Sequence, residues 1–366
     1  MATAPRPAEG AAKRARPRIG LRSLPVKLGT PPMEAKLVDA LPDDEGWQFE
    51  PKWDGFRCLA YRAGTEVELQ SKSGKSLARY FPDVVEALRV MPLDRFVLDG
   101  ELVILTGDTL SFDALQNRLH PAESRVRKLA AEAPAIFILF DCLATALDGD
   151  LMNVPLMRRR TALERFFASL GDQPSLRLTP YTRDPLTARS WLEKARGSLD
   201  GVVAKRVEEP YVPGEREMLK VKLLRTADCV VGGFRYATDS DLVGSLLLGL
   251  HDAAGLLHHV GFTSTIKDED RKALTAKLEK LIAPPGFTGD APGAPSRWST
   301  ERSAKWQPLK PKLVVEVKYD QVTGDRFRHA TRLLRWRPDK KPAQCTCDQL
   351  QREAPPAKLV NQVIGR

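Results

Sequence analysis

The run AIFILFDCLA at residues 135–144 most constrains what this chain can fold into. Apart from Asp141 the run is apolar. A short, nearly continuous apolar run is typical of a strand buried on both faces. We therefore expect a covered sheet, with the neighbouring patterns supplying its other strands and the helices that cover it.

Strand and helix patterns both flank this run. Residues 56–71 resemble two strands around an Ala63-Gly64 turn, and residues 95–105 form a further strand run. Between 155 and 170 the apolar residues recur at roughly helical spacing. This mixture predicts an α+β domain, which we assign to residues 31–224.

The second half of the chain has a different pattern. Short strands with Gly-rich turns occupy residues 228–264, and one amphipathic helix follows at 267–282. A further strand run lies at 312–323. This pattern suits a small β-barrel of the oligonucleotide-binding (OB) type, assigned to residues 225–350.

The charge favours a polyanionic partner. The chain has 57 Lys and Arg against 47 Asp and Glu, a formal net charge of +10, so nucleic acid is the leading partner class. Many basic proteins bind no nucleic acid, so charge alone does not decide. Residues 1–30, rich in Ala, Pro, Arg and Gly, are predicted to form a flexible basic tail, and residues 351–366 a C-terminal tail.

The composition also bears on the cellular compartment. No apolar run approaches the length of about 20 residues that a membrane span needs, and the N-terminus lacks an apolar signal core. The five cysteines show no paired CxxC spacing, which suits a reducing compartment. We therefore expect a cytoplasmic protein.

Two lysines in the segment MLKVKLL would stand side by side. On a strand, Lys220 and Lys222 point to one face while Leu219 and Val221 point to the other. Adjacent ammonium groups cost energy unless solvent or an anion separates them, and phosphate is the obvious anion. A half-buried strand with a wet basic face is the plain alternative.

Two acidic segments could supply metal ligands. VLDGELVI offers Asp99 and Glu101 on one face of a strand, and SLDGVVAKR offers Asp200 followed by Lys205. Hard cations such as Mg²⁺ are held by a few carboxylates together with substrate phosphates. Each Asp-Gly pair could equally be a plain turn.

Lys52, in FEPKWDGFR at residues 49–57, is a candidate nucleophile. A lysine attacks only as the free amine, and an ordinary pKa of about 10.4 leaves little amine near neutral pH. Neighbouring cations and burial lower that pKa. The assignment therefore requires that Lys220, Lys222 and a metal converge on Lys52.

Seven motifs occur in an order and spacing that resemble the ATP-dependent DNA ligase family. They are KWDGFR (52–57), SKSGK (71–75), LDGEL (98–102), FILFD (137–141), DGVVAK (200–205), LKVK (219–222) and RPDK (337–340). The layout is similar to the stand-alone bacterial ligase C group and to the ligase module of bacterial ligase D. The resemblance implies an ATP-grasp-like nucleotidyltransferase (adenylation) domain followed by an OB-fold barrel.

The resemblance implies a reaction through covalent intermediates. Lys52 would attack the α-phosphate of ATP, release pyrophosphate and carry AMP as a lysyl-adenylate. AMP would pass to the 5′-phosphate of a nick, and the 3′-hydroxyl would then expel it. Arg337 and Lys340, with Asp339 beside them, would orient the pyrophosphate, so the barrel would have to swing away to admit DNA.

The same resemblance assigns the contacts to the nucleotide base and sugar. Phe140 would stack on adenine, and Glu50 would accept from its exocyclic amine. Glu101 and Arg57 would address the ribose, and Asp54 would lie near the nick ends.

The phosphate and metal contacts follow in the same way. Lys220 and Lys222, assisted by Lys205, would hold the α-phosphate. Asp200, where the family usually has a glutamate, would bind Mg²⁺ or Mn²⁺ together with Glu101. Lys72 stands where an arginine commonly contacts the 5′-phosphate, and it offers a point charge instead of a bidentate fork.

The resemblance also implies the setting. The substrate would be nicked double-stranded DNA, and the protein a monomer of the bacterial nucleoid that makes no membrane contact. It would serve excision and gap repair or back-up end joining, with a primase-polymerase and an end-binding repair protein as candidate partners.

Three rival functions were weighed against this one. They are an RNA-capping-type guanylyltransferase, an RNA ligase and a non-catalytic nucleic-acid-binding protein on a ligase scaffold. The adenine-type pocket at Glu50 counts against the first, and the barrel with its RPDK motif counts against the second. Intact Lys52, Glu101, Lys220 and Lys222 count against the third.

Overall fold

The computed structural model describes residues 20–107, 109–171, 173–194, 199–222, 224–293 and 305–350. The elements of the first half are β1 (Ala35–Leu37), β2 (Trp47–Lys52), β3 (Phe56–Ala63), β4 (Glu66–Ser71), α1 (Pro82–Arg89), β5 (Arg95–Thr106), β6 (Thr109–Leu110), α2 (Phe112–Arg118), α3 (Glu123–Glu132), β7 (Ala135–Thr145), β8 (Gly149–Asp150), α4 (Leu156–Ala168), β9 (Leu176–Leu178), α5 (Pro185–Lys194), β10 (Gly201–Arg206) and β11 (Met218–Lys222). Those of the second half are β12 (Arg225–Tyr236), β13 (Val243–His251), β14 (Leu257–Thr263), α6 (Asp268–Glu279), β15 (Gln307–Pro308), β16 (Val314–Tyr319), β17 (Val322–Thr323), β18 (Arg326–Phe327) and β19 (Arg332–Trp336).

The first half stacks two sheets with helices on their outer faces. One sheet runs β4-β3-β5-β7-β8, with β6 on β5 and β9 on β7, and the other runs β1-β11-β10-β2. Tyr61, Val97 and Leu143 of the larger sheet pack with Met218 of the smaller one. Helices α1 and α4 cover the far side of the larger sheet, and α5 covers the smaller sheet.

The apolar run at residues 135–144 forms β7, as predicted, between β5 on one side and β8 and β9 on the other. Its one charge, Asp141, is buried and would be costly alone. Arg159 of α4 donates to both Asp141 oxygens, at 2.8 and 3.1 Å. Burial alone would raise the pKa of Asp141, but Arg159 holds it below its ordinary value. The ion pair therefore ties α4 to the sheet.

The second half closes into a barrel, as predicted. Its strands run β14-β13-β12-β16-β19, with β15 on β12. The Thr331 N–H donates to the Phe262 carbonyl at 3.0 Å, and Thr263 forms a bridge with Thr331, so the chain entering β19 returns to β14. A separate hairpin, β17–β18, lies between β16 and β19 in sequence.

The prediction of a flexible tail at residues 1–30 is wrong for residues 20–30. Leu24 and Val26 are fully buried in the cluster that contains Tyr61. The Gly29 N–H donates to Gln70 Oε1 at 2.6 Å. Two apolar residues suffice here because the β3 surface supplies the other half of the contact. Residues 1–19 and the predicted tail at 351–366 lie outside the described residues.

The chain passes from the smaller sheet of the first half into the barrel between Lys222 and Arg225. The domain limits 31–224 and 225–350 themselves stay predictions. Within the described ranges, no helix is long and apolar enough to cross a membrane.

Candidate active site

A cavity of about 830 Å³ opens beside the smaller sheet of the first half. Its lining includes eight of the predicted site residues: Glu50, Lys52, Arg57, Lys72, Glu101, Phe140, Lys205 and Lys220. Five predicted residues are outside its lining: Asp54, Asp200, Lys222, Arg337 and Lys340. Asp54 and Asp200 form ion pairs with the lining residues Arg328 and Lys52, and Lys222 pairs in turn with Asp200. The ion pairs of Arg337 and Lys340 involve no lining residue.

Strand pairing, not sequence proximity, assembles the cavity wall. Strand β10 lies between β2 and β11, so its alternate residues face partners on both sides. Gly201 pairs with Lys52 and with Lys222, and these three residues are called the lysine row. One step along the same face, Val203 pairs with Glu50 and with Lys220.

Gly201 sets the spacing of the lysine row. Its φ is +149°, and a Cβ atom there would lie 1.9 Å from the Val221 carbonyl oxygen. No other residue fits without moving β11. The glycine therefore lets Lys52 and Lys222 flank an open position.

Asp200, next to Gly201, is the carboxylate shared by the lysine row. Its N–H donates to the Lys52 carbonyl at 2.9 Å, which fixes the residue against β2. Its Oδ2 contacts the Lys52 ammonium and lies 3.5 Å from Lys222 Nζ. The Asp200 carboxylate thus balances the positive charges of Lys52 and Lys222 at the position where a bound phosphate was predicted.

Lys220 lacks such compensation. No carboxylate lies within ion-pair distance of its ammonium in the part of the chain that the structure describes. Burial, followed by the charges of Lys52, Lys222 and Lys72, lowers the pKa of Lys220. An anion bound here would relieve this repulsion.

The other end of the cavity wall carries a buried charge pair. Lys205 Nζ lies 2.7 Å from Glu50 Oε2 and 4.8 Å from the centre of the Phe140 ring. Gln48 Nε2 donates to Glu50 Oε1 at 2.9 Å. Lys205 therefore lies with the predicted base pocket, not beside Lys220 and Lys222 as expected, because β10 carries it two rows away from Gly201.

Arg57 is held by a carboxylate that the sequence suggested only as a turn or metal ligand. Asp99 accepts from Arg57 Nε at 2.5 Å and Nη2 at 2.6 Å, and from the Tyr211 hydroxyl at 2.6 Å. The guanidinium carbon lies 4.5 Å from the centre of the Phe140 ring. Tyr211 had no motif signal, because its contact crosses more than a hundred residues.

Glu101 has an unusual protonation. Burial raises its pKa to about 7, although Lys52 and Arg57 oppose the shift. The Gly55 N–H donates to Glu101 Oε1 at 3.2 Å. This carboxyl therefore keeps its proton to a higher pH than an exposed glutamate does.

The predicted metal ligands, Asp200 and Glu101, offer the oxygen donors that hard cations prefer. They do not form a preassembled site, and among the described residues no group of three or more His, Cys, Asp or Glu could hold a metal ion. A metal would need substrate phosphates to complete its coordination.

The barrel contacts the lysine row through residues 320–329, here called the docking segment. Asp320 Oδ2 lies 2.7 Å from Lys222 Nζ, and Gln321 Nε2 donates to Asp200 Oδ1 at 3.0 Å. Arg328 lies 2.7 Å from Asp54 Oδ1, and its guanidinium stacks over Phe112. Sequence reasoning missed this segment because its partners lie up to 274 residues away.

Arg337 and Lys340, to which the family resemblance gives a role in orienting pyrophosphate, lie outside the cavity lining. Both pair with Asp228, at 2.8 and 2.6 Å, and Arg337 also pairs with Asp339 at 2.8 Å. The physical reason is the orientation of the barrel, which presents the docking segment to the cavity and leaves the RPDK turn outside its lining.

Lys72 lies at the cavity mouth. Its side chain is 59% exposed and pairs with Glu34 at 3.0 Å. An exposed cation at this position is available to an incoming phosphate, because exposed ion pairs of this kind contribute little stability.

Comparison with known proteins gives consistent results for both halves of the chain. Residues 32–222 match the ATP dependent DNA ligase domain, and residues 239–340 match the ATP dependent DNA ligase C terminal region. DNA ligase C1 of Mycolicibacterium smegmatis is 44% identical over 340 residues, which cover 89% of this chain and 95% of the relative. DNA ligase C of Mycobacterium tuberculosis is 43% identical over 345 residues, which cover 90% and 96%.

A solved Lig E DNA ligase shares the fold. The TM-score is 0.53 at 16% identity, with 83% of this chain and 100% of that chain covered. Together with the family matches, this confirms the predicted fold class, an α+β nucleotidyltransferase domain followed by an OB-fold barrel.

Proposed function

The chain belongs to the ATP-dependent DNA ligase family, and we propose that it seals nicks in duplex DNA through a lysyl-adenylate on Lys52 and an adenylated 5′-phosphate. The observation that carries the proposal is the lysine row beside Lys220. Lys52 and Lys222 share the Asp200 carboxylate, and Lys220 stands beside them without one among the described residues, at the end of a cavity whose other end carries Glu50 and Phe140.

In the proposed first step, Lys52 Nζ attacks the α-phosphate of ATP and the bond to pyrophosphate breaks. Lys220, which lacks a carboxylate partner among the described residues, and Lys222 would stabilise the charge that grows on the phosphate. The Lys52 ammonium must lose its proton before it attacks. Asp200 is in contact with that ammonium and is the candidate to receive the proton.

The opposite end of the cavity suits an adenine base. A carboxylate accepts from an exocyclic amine, so Glu50 favours adenine over guanine, which presents a carbonyl at the corresponding position. Lys205 and Gln48 fix the Glu50 carboxylate, and Phe140 offers an aromatic surface beside it. Glu101 and Arg57, which line the cavity nearby, are proposed to address the ribose.

A divalent cation would neutralise phosphate charge when bound. We propose Mg²⁺ or Mn²⁺, held by Asp200 and Glu101 together with substrate phosphates. For Glu101 this requires loss of the proton that burial favours.

The later steps need the nick at the same cavity. Lys72 at the mouth is proposed to contact the 5′-phosphate, and Asp54 to lie near the nick ends. Arg337 and Lys340 are proposed to act on pyrophosphate only when the barrel turns its other face to the cavity. We extend the proposal to excision and gap repair or back-up end joining in the bacterial cytoplasm, with a primase-polymerase and an end-binding protein as candidate partners.

Covalent labelling tests the proposal. The protein is incubated with α-labelled ATP, α-labelled GTP or adenylate-labelled NAD, and acid-stable label is measured before and after nicked DNA is added. We expect label from ATP that is lost in Lys52→Ala, retained in the surface control Lys36→Ala, and discharged by nicked DNA with sealing. Label from GTP alone, or label that persists in Lys52→Ala, would contradict the proposal.

A further inference from the structure

The RPDK turn is organised by one carboxylate outside the motif. Asp228 Oδ1 lies 2.8 Å from Arg337 Nη1, and Asp228 Oδ2 lies 2.6 Å from Lys340 Nζ. Each oxygen therefore has its own cation. The side chain of Asp228 is only 11% exposed, so these are not freely solvated ion pairs.

Asp228 is itself held firmly. It lies within β12 and pairs with Glu316 of β16 in the barrel wall. Its N–H donates to Gln349 Oε1 at 2.9 Å, and its carbonyl accepts from Gln349 Nε2 at 3.1 Å. By contrast, Arg337 and Lys340 lie beyond the end of β19, in a turn closed by the Lys340 N–H bond to the Arg337 carbonyl at 3.2 Å. The strand therefore provides a fixed reference point for two long, flexible side chains.

Asp228 forms ion pairs with both cations. Of these two cations, the neighbouring carboxylates Asp339 and Glu316 pair only with Arg337. Asp339 lies 2.8 Å and Glu316 3.8 Å from the Arg337 guanidinium. Among the described residues, neither of these forms an ion pair with Lys340. Removing the Asp228 charge would thus leave Lys340 without a partner and two like charges close together.

We propose that Asp228 is a positioning residue that holds Arg337 and Lys340 at a fixed separation, so that the turning barrel delivers them to pyrophosphate as one unit. The inference rests on the proposed function, in which these two cations act in adenylation. Because the strand carries Asp228 with the barrel, the spacing survives the rotation. A pre-set pair loses less side-chain entropy on binding an anion than two independent side chains.

The test compares Asp228→Asn with the wild-type chain in separate steps. Asparagine keeps the side-chain shape and the backbone contacts to Gln349 but removes the charge. We expect the kcat/KM of adenylation by ATP to fall about 10-fold, the usual scale for loss of a residue that orients another. Pyrophosphate-driven discharge of the adenylated protein should fall in parallel, and sealing of a pre-adenylated nick should stay within about 2-fold of wild type.

Two further variants give the comparison its controls. Glu316→Gln, which removes the more distant carboxylate, should change adenylation by less than about 2-fold. Combining Asp228→Asn with Lys340→Ala should cost less than the sum of the two single effects, because both remove the same arrangement.

The outcomes distinguish failure of the Asp228 positioning role from failure of the proposed role of the RPDK turn in adenylation. If Arg337→Ala and Lys340→Ala both adenylate normally, the proposed role of the RPDK turn is wrong. If those two variants lose adenylation while Asp228→Asn keeps it, the inference alone is overturned. Equal losses in adenylation and in sealing of the pre-adenylated nick would show that Asp228 serves only the barrel fold, and would also overturn it.

Discussion

Two aspartates, one in each half of the molecule, perform the same local task in different settings. Asp200 compensates Lys52 and Lys222 at the cavity, and Asp228 compensates Arg337 and Lys340 on the barrel. The first pair is fixed by strand pairing across Gly201 and includes Lys52 of the cavity lining, whereas the second depends on a turn and has no member in that lining. In the proposed function, one phosphate-binding pair is therefore built in place, and the other has to be brought to the cavity.

The docking segment explains why both pairs are not at the cavity together. Asp320 and Gln321 contact Lys222 and Asp200, and Arg328 contacts Asp54. These contacts use the barrel face that carries the docking segment. The proposed role of Arg337 and Lys340 therefore requires a separate orientation of the barrel, so that its two faces would serve different steps.

The pair formed by Lys52 and Lys222 should be more sensitive to a change in backbone spacing than the pair formed by Arg337 and Lys340. A Cβ at position 201 would overlap the Val221 carbonyl, so Gly201→Ala should push β11 away from Lys52. We expect adenylation to fall by more than about 100-fold, because a misplacement of about 1 Å has effects of that size. Single-turnover adenylation measures the loss.

Gly149→Ala is the matched control for that variant. Its φ is +70°, and no atom lies within 4 Å of the added Cβ, so it carries backbone strain without overlap. If Gly201→Ala adenylates like Gly149→Ala, strand spacing does not define the lysine row.

Substitution of Arg337 or Lys340 should affect adenylation much more than sealing. Arg337→Ala should lower adenylation about 100-fold, the scale for loss of one charged group that stabilises a transition state. Sealing of a pre-adenylated nick should be largely kept, since pyrophosphate has already left. Comparable losses in both steps would remove the distinction between the two barrel faces.

A substitution in the docking segment should affect sealing more than adenylation. Arg328→Ala should weaken sealing of a pre-adenylated nick about 10-fold, equivalent to a charged hydrogen bond of about 1.4 kcal/mol, and affect adenylation less. Arg332→Ala, an exposed arginine on β19, controls for the loss of one positive charge toward DNA. Equal sealing defects in the two variants would mean that the effect is electrostatic attraction, not docking.

The last expected effect is on stability instead of rate, and it is a pH dependence at Glu101. Its pKa rises from 4.5 to about 7 on folding, so between these values the folded state holds more protons than the unfolded state. Stability contributed by this group is therefore present at low pH and is lost as pH rises toward 7. Glu101→Gln should gain about 2–3 kcal/mol relative to wild type between pH 5 and pH 8.

Urea unfolding at both pH values measures that gain. Glu123→Gln, at an exposed position of α3, is the control. The same gain in both variants would mean that burial at the cavity is not the cause.

The sequence predicted what depends on neighbours along the chain. The apolar run of β7, the β3–β4 hairpin at Ala63-Gly64 and the helix α4 follow from local periodicity and turn chemistry. Lys220 and Lys222 lie on the same side of β11 for the same reason. The family resemblance added the order of the motifs and the fold class.

What the sequence missed depends on distant contacts. Leu24 and Val26 lie in a short segment that shows no strand or helix periodicity, and only their contacts with the cluster around Tyr61 explain their burial. The pairing of Lys52 and Lys222 with Gly201 requires the register of three strands. The contact of Arg328 with Asp54 and the distance of Arg337 from the cavity depend on barrel orientation, which no local pattern specifies.

The most direct measurement of the central claim is the site of covalent AMP. The wild-type chain is incubated with ATP and a divalent cation, digested, and its peptides are sequenced by mass spectrometry. We predict AMP on the peptide that contains Lys52, at the Lys52 side chain, and its loss after nicked DNA is added. AMP on Lys220 or Lys222, or no AMP on any lysine while nicks are still sealed, would contradict the account.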